Sequence, residues 1–237
     1  MRVGTVLGDL AAGLFAAIGT LGALREAERS GRGQMVDVSQ QDAILSLTEN
    51  ALVTYTETGK VAEPTGNGHP FVRPYGRFAC RDGFVFFGAY TDKFWREACR
   101  AFGEPALADD PEIDTMAKRF DAETYARRVD PVVKRWLGTR TKAELEALTG
   151  DRFPLSPIKT IEEVADDAHI RARDMIVPVH YQGARFEVFG NPVKLSDGTL
   201  ERDAAAPAIG QHNRQVFCEW LGMEAQRFGD LQDRNVI

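Results

Sequence analysis

The sequence predicts a mixed α/β fold, and three observations lead to this class. Apolar residues recur at helical spacing in several segments, the first of which begins at Leu10. Two pairs of short apolar runs are each interrupted by a glycine-containing turn, which is typical of β-hairpins. Hydrophobic residues make up 43% of the 237 residues, which is enough to form a sizeable core in one large domain or two smaller ones.

The first predicted helix is rich in small residues. Alanine and glycine fill most positions outside one apolar face, which consists of Leu10, Leu14, Ile18, Leu21 and Leu24. Gly31 and Gly33 follow and end the helix. A helix with small residues on every side is typical of the interior of a domain. We therefore expect its packing partners to precede it in the chain.

The next segments predict a strand, a helix and a loop. Residues 34–39 alternate between polar and apolar side chains, as a half-buried strand does. Residues 41–55 carry apolar residues at helical spacing and predict one helix. Residues 59–70 contain Gly59, Pro64, Gly66, Gly68 and Pro70 and predict a loop or linker.

The middle of the chain predicts a hairpin followed by helices. Residues 75–80 and 84–90 are strand-like runs joined by the turn Arg81-Asp82-Gly83. Helices are predicted at residues 91–102, 122–137 and 141–148.

Helix-start signals and a second hairpin mark the remainder. Capping boxes are formed by Thr141 with Glu144 and by Thr160 with Glu163. A hairpin with its turn at Gln182-Gly183 is predicted from residues 176–181 and 185–189, followed by a helix at 211–221 that ends at Gly222, and a short helical tail.

Charge and cysteine content exclude several classes of protein. The net charge of −6 argues against binding to nucleic acid or to an anionic membrane, since both require clustered positive charge. The apolar stretch from Leu10 to Leu24 is judged too short and too weakly apolar for a membrane span. Neither the three cysteines nor the four histidines have the spacing of a metal site, and the odd cysteine count favours a reducing cytoplasm.

Asp9 is the first candidate for chemistry. It follows Gly8 at the start of the first helix, and on the pattern alone the favoured interpretation is an N-cap whose carboxylate accepts helix N–H groups. The alternative is a carboxylate on a tight turn that acts as a nucleophile or base. The two roles are compatible.

The second candidate is the segment Gly66-Asn67-Gly68-His69. It is interpreted either as a flexible lid over a reactive group or as a simple turn, and the turn is favoured. The segment lacks the glycine spacing of a phosphate-binding loop.

Several motifs in order along the chain resemble those of the family III CoA-transferases, the CaiB/BaiF type. They are Gly8 to Gly13, Ala23-Leu24-Arg25, Ser30 to Ser39, Ile170 to Met175, Pro192 to Ser196, and Ile209 to His212. The resemblance implies an acyl-CoA transferase that takes acyl-CoA and carboxylic acid substrates, with no metal and no covalently bound cofactor. It also implies that Asp9 attacks the donor thioester to form an anhydride and then an aspartyl-CoA thioester. It leaves the CoA-binding residues unassigned.

Two alternatives remain open at this point. The same family includes 2-methylacyl-CoA racemases, in which the matching Asp works with a His that would lie before residue 1. The other alternative is a split or truncated subunit that is inactive by itself.

The resemblance further implies a fold and an assembly. Residues 1–58 and 156–237 would be the remains of a large Rossmann-like domain, and residues 59–155 a small α+β domain. Family members form interlocked dimers and are about twice as long, so the resemblance implies either an interlocked homodimer or a separate chain that supplies the N-terminal half.

Overall fold

The computed structural model describes residues 4–181, 183–197 and 207–237. Its contacts divide the chain into two units, residues 1–70 and residues 71–237. The predicted mixture of helices and strands is confirmed, and both sheets are antiparallel. The division into 1–58 with 156–237 and 59–155 stays a prediction.

The first unit begins with the long helix α1, Leu7–Ser30. Gly31 ends it as predicted: its φ of 73° is left-handed, and its N–H donates to the carbonyl of Ala27. By length and composition this 24-residue helix is apolar enough to cross a membrane, which corrects the judgement that the stretch is too short and too weakly apolar. Core helices of soluble proteins share this length and composition.

The single helix predicted at 41–55 is two helices, α2 (Gln40–Ser46) and α3 (Ala51–Thr58). Two hydroxyl groups near the break donate to backbone carbonyls, Ser46 Oγ to Ala43 at 2.7 Å and Thr48 Oγ1 to Leu45 at 2.8 Å. Such side-chain bonds compete with the bonds that would continue a helix. Glu49 then adopts a left-handed φ of 49°, which completes the interruption.

The prediction of a strand at residues 34–39 is wrong. This segment pairs with no other strand in the described part of the chain and instead approaches α1 at Val36. A Cβ atom added at Gly19 would lie 2.9 Å from Cγ1 of Val36, so the glycine permits this close approach. Alternation predicts an extended backbone, but a strand also needs a neighbour with which to form hydrogen bonds.

The second unit contains a three-stranded sheet in the order β1 (Gly76–Cys80), β2 (Gly83–Phe87) and β3 (Leu155–Ile158). Cys80 pairs with Gly83, which confirms the first predicted hairpin. The third strand was not predicted. It contains Pro157, and proline lacks the N–H that a central strand needs but is tolerated in an edge strand such as this one.

Helices pack on one another and on this sheet to form the core. Its members lie between Phe78 and Leu155, and Val85, Phe87, Trp95, Ile113 and Val133 are fully buried. The helices in this region are α4 (Asp92–Ala101), α5 (Met116–Phe120), α6 (Ala122–Thr124), α7 (Asp130–Gly138) and α8 (Lys142–Thr149), with a 3₁₀ turn at Pro105–Asp109.

The helix predicted at 122–137 is confirmed as a helical run that includes a π-helical turn. The π turn, Tyr125–Val129, joins α6 to α7 and lies just before Pro131. Proline has no N–H to donate to the preceding turn, which accounts for a departure from α-helical bonding at this place.

Both predicted capping boxes are present. The Thr141 and Thr160 hydroxyls accept from the backbone of Glu144 and Glu163, whose carboxylates bond back to the N-cap amides. The second box begins α9 (Ile161–Ala165), and α10 (Ala168–Ala172) follows.

The second hairpin is confirmed as β4 (Ile176–Tyr181) with β5 (Ala184–Phe189), in which Tyr181 pairs with Ala184. Gln182 of its predicted turn lies outside the described residues. The helix predicted at 211–221 is confirmed in part as a π-helical segment, Gln215–Trp220, and the tail forms α11, Ala225–Asp233.

Candidate functional site

Asp9 lies in the first turn of α1 and is not its N-cap. The helix begins two residues earlier, at Leu7, and the N–H of Leu10 donates to the carbonyl of Val6 at 3.1 Å. The N-cap interpretation is therefore wrong, since Val6 holds that position. A carboxylate in the first turn still benefits from the positive end of the helix dipole.

The Asp9 carboxylate is held by a residue from the next helix. Gln40 Nε2 donates to Asp9 Oδ1 at 2.8 Å. Gln40 is the first residue of α2, whose N-cap Ser39 accepts the backbone N–H of Asp42 at 3.0 Å. The first turns of α1 and α2 therefore meet at this hydrogen bond.

Small residues allow the two helices to approach each other. Ala11 of α1 and Ala43 of α2 are the buried residues of the two helices. A Cβ atom at Gly8 would lie 3.6 Å from Cγ1 of Ile44, which is ordinary van der Waals contact. The backbone around Asp9 is thus fixed by packing against α2, while the Asp9 side chain itself is exposed.

This geometry leaves one oxygen of Asp9 available. Within the residues that the structure describes, Oδ1 accepts from Gln40 and Oδ2 has no hydrogen-bond partner. An exposed carboxylate with one oxygen held in place and the other open to solvent can attack an electrophile or take a proton.

Gln40 was not singled out from the sequence. Ser39 is a typical N-cap residue, so the position of Gln40 in the first turn of a helix can be predicted from the sequence. Its contact with Asp9 spans 31 positions of the chain, which no local pattern reveals.

The segment Gly66-Asn67-Gly68-His69 forms a turn. Gly66 has a left-handed φ of 69°, and Thr65 Oγ1 donates to the Gly68 carbonyl at 2.9 Å. The two glycines and Asn67 are exposed, and His69 is half-buried. A lid role for these four residues stays a prediction, as does any joint action with Asp9.

Cysteines and clusters of metal-binding side chains are the other groups that could carry chemistry. In residues 4–181, 183–197 and 207–237, no three His, Cys, Asp or Glu side chains lie together as a metal site. Burial raises the pKa of the Cys99 thiol to about 12, which keeps it protonated at neutral pH. Cys99 is a buried structural residue, as its position on the inward face of its helix predicts.

An apolar groove of about 690 Å³ lies in the second unit. It is formed by α9, α10, β4 and β5 and is lined by Ile161, Val164, Ala165, Ile170, Met175, Ile176, Glu187, Val188 and Phe189. Arg171 donates through Nη1 to Glu187 Oε1 at 3.2 Å and through Nη2 to Oε2 at 3.1 Å. The Arg171 contact holds the pKa of Glu187 below its usual range.

Comparison with known proteins gives consistent results. The family model described as CoA-transferase family III matches residues 1–213. The chain is 34% identical over 239 residues to succinyl-CoA–D-citramalate CoA-transferase of Chloroflexus aurantiacus, with 100% of this chain and 59% of that protein aligned. It is 30% identical over 238 residues to the beta subunit of succinyl-CoA–L-malate CoA-transferase of the same organism, covering 98% of this chain and 58% of that one.

A solved structure shares the fold. The crystal structure of a CAIB/BAIF family protein from Brucella suis superimposes with a TM-score of 0.72 at 24% identity, covering 92% of this chain and 56% of that one. The chain thus spans well under two thirds of the length of the proteins that it matches.

Proposed function

The chain belongs to CoA-transferase family III, and on that premise we propose that it moves CoA from an acyl-CoA donor to a carboxylic acid acceptor, with Asp9 as the nucleophile. The observation that carries the proposal is the exposed Asp9 carboxylate, with Oδ1 held by Gln40 and Oδ2 open. Both relatives named above are CoA-transferases by name, which favours transfer over the racemase alternative.

The proposed reaction proceeds through two covalent states of Asp9. Oδ2 attacks the donor carbonyl carbon, the C–S bond breaks, and CoA leaves as a thiolate beside a mixed anhydride. The thiolate then attacks Cγ of Asp9, which releases the donor acid and forms an aspartyl-CoA thioester. The acceptor carboxylate attacks the same Cγ and expels the thiolate, which returns to the acceptor carbonyl and frees Asp9. A carboxylate is a weak nucleophile, so the reaction depends on proximity and on donors to the developing oxyanions.

The names of the relatives suggest substrates to test first. Both name succinyl-CoA as the donor, and the acceptors that they name, D-citramalate and L-malate, are hydroxylated dicarboxylic acids. We propose the same classes for this chain: a short dicarboxylyl-CoA donor and a dicarboxylic acid acceptor.

The proposed assembly follows from an uncovered apolar face. Leu14, Ile18 and Leu21 of α1 are 68%, 66% and 68% exposed. Removing such residues from water is favourable by roughly 1.5–3 kcal/mol each. We propose that a second copy, or a chain equivalent to the N-terminal half of the longer relatives, covers this face in a cytoplasmic enzyme.

The proposed large domain comprises 1–58 and 156–237. The proposed small domain is 59–155, and the buried core between Phe78 and Leu155 supports it.

The test is transfer of CoA to a labelled acceptor. The purified chain is incubated with succinyl-CoA and isotopically labelled L-malate, and labelled malyl-CoA is measured by chromatography. Asp9→Asn is expected to lower the rate by about a thousandfold or more, because the nucleophile is lost. Asp42→Asn, a matched change in the first turn of α2, is expected to retain the wild-type rate of transfer. Full activity in Asp9→Asn would refute the assignment.

A further inference from the structure

We propose that Gln40 is a positioning residue for Asp9 that also supports the developing charge when Asp9 itself is attacked. The Gln40 amide holds Oδ1, leaves Oδ2 to attack the donor, and remains on Oδ1 when that atom becomes the carbonyl oxygen of the aspartyl intermediates. This assignment rests on the proposed function and adds a second residue to it.

The contact has the chemistry that such a role needs. The side-chain amide of glutamine is a neutral donor, and an ionised carboxylate only accepts, so the nitrogen of Gln40 faces Asp9. At 2.8 Å the bond is a charge-assisted one. Because the amide does not titrate, it donates at every pH at which the protein is folded. It leaves the negative charge of Asp9 in place, whereas a lysine or arginine at this position would neutralise it.

The position of Gln40 is fixed by the local structure. It is the first residue of α2, and Ser39 caps that helix through the backbone N–H of Asp42. Close packing of α2 on α1, indicated by the buried Ala43 and Ala11 and by the approach of Ile44 to Gly8, sets the distance between the two first turns. The amide therefore reaches Asp9 from a backbone that the fold holds in place.

The proposed reaction contains two kinds of attack, and Gln40 serves only one kind. In the first and last steps the attacked carbon belongs to the donor or the acceptor, and its oxyanion lies on the substrate. In the two middle steps the attacked carbon is Cγ of Asp9: a bond to sulfur or to the acceptor oxygen forms, and the electron pair moves onto Oδ1. The Gln40 amide donates to that oxygen, and the pair returns when the leaving group departs.

The steps can be separated in time. After the chain is mixed with succinyl-CoA alone, the initial rate of thiol release, measured before the second attack consumes the thiol, reports the first attack. The chain with covalently attached CoA, quenched in acid and weighed by mass spectrometry, reports the second. In Gln40→Met, we expect CoA attachment to slow by about a hundredfold, the lower end of the range for loss of one oxyanion donor. Thiol release is expected to change less than about threefold, because its oxyanion lies elsewhere.

Controls separate this role from a purely structural one. Gln41→Met makes the same change at the next, exposed position of α2 and is expected to match the wild type in both rates. In Gln40→Glu the side chain donates only when protonated, so CoA attachment is expected to fall as the pH rises, while the wild type lacks this dependence.

The outcomes distinguish the two proposals. Equal slowing of thiol release and CoA attachment in Gln40→Met, or no slowing of either, would overturn the role of Gln40 and leave that of Asp9 intact. If the wild type forms no CoA adduct that is lost in Asp9→Asn, the proposed function fails, and the role of Gln40 fails with it.

Discussion

Trp136 Nε1 donates to Glu104 Oε1 across 2.8 Å, which joins α7 to the segment just after α4. Arg135, the neighbour of Trp136, donates to the same oxygen. The indole ring also stacks on Phe102, with centroids 4.7 Å apart and planes within 2° of parallel. One carboxylate therefore anchors the aromatic centre of the core.

Glu104→Ala is expected to destabilise the second unit by about 1–3 kcal/mol, because it leaves the buried indole N–H without an acceptor. Glu104→Gln keeps an acceptor and is expected to cost less. Urea unfolding followed by tryptophan fluorescence measures both. Equal stability of Glu104→Ala and the wild type would contradict this role.

The same carboxylate predicts a pH dependence of stability. The bond from Trp136, followed by those from Arg135, holds the pKa of Glu104 below its usual range. A group whose pKa is lower in the folded state stabilises the protein above its unfolded pKa, and the stabilisation is lost as the pH falls through the folded value. We expect the stability difference between wild type and Glu104→Gln to shrink below about pH 4.3, the ordinary glutamate pKa. A difference that is constant from pH 7 to acid would argue against this account.

Arg119 is fully buried and donates to Asp92 at 2.7 Å and to the carbonyls of Tyr90 and Ile113 at 3.1 and 2.8 Å. Removing the carboxylate in Asp92→Ala leaves this guanidinium without its counter-charge. We expect a loss of about 2 kcal/mol, less than for a fully buried pair because Asp92 is half exposed. Asp92→Asn retains an acceptor and serves as the control. Calorimetry gives the comparison, and a larger loss in Asp92→Asn than in Asp92→Ala would contradict it.

The close approach of Val36 to α1 predicts opposite outcomes for two glycines. Gly13 has no neighbour within 4 Å of an added Cβ, so Gly13→Ala is expected to stabilise by about 0.5–1 kcal/mol through helix propensity. At Gly19 the added Cβ meets Val36 at 2.9 Å, which opposes that gain. The double change Gly19→Ala with Val36→Ala is expected to recover it. Thermal unfolding measured by circular dichroism checks all three, and equal stabilisation by the two single changes would refute the contact.

Cysteine reactivity is expected to follow burial. Burial raises the pKa of Cys99 to about 12, so it is expected to resist iodoacetamide in the folded protein. Cys218 is only half-buried and is expected to react sooner. Peptide mass spectrometry after timed labelling at pH 8 gives the order, and faster labelling of Cys99 would contradict it.

Features governed by neighbours in sequence were predictable. The Thr141 and Thr160 capping boxes and the turn before Gly83 depend on a few adjacent residues, and all three are present. The prediction of a strand at 34–39 was wrong because alternating polar and apolar residues indicate only an extended backbone, while strand pairing depends on distant residues. β3 was not predicted because Pro157 argues locally against a strand. Pairing with a distant residue, Val85 of β2, forms the strand nevertheless.

The same distinction applies to the candidate site. Asp9 could be selected from its motif, but its partner Gln40 could not, because packing of α1 on α2 brings them together. The sequence pattern also predicted Asp9 as the N-cap, whereas Asp9 lies in the first turn. Helix boundaries are difficult to predict to within one or two residues.

The buried core has a consequence for the order in which the protein folds during synthesis. Within the part of the chain that the structure describes, every residue of this core lies between Phe78 and Leu155. Once Ile158 has left the ribosome, β3 can complete the sheet before the hairpin from Ile176 to Phe189 emerges. This region can therefore fold on the nascent chain before the residues after it emerge, and those residues can then pack against a folded domain.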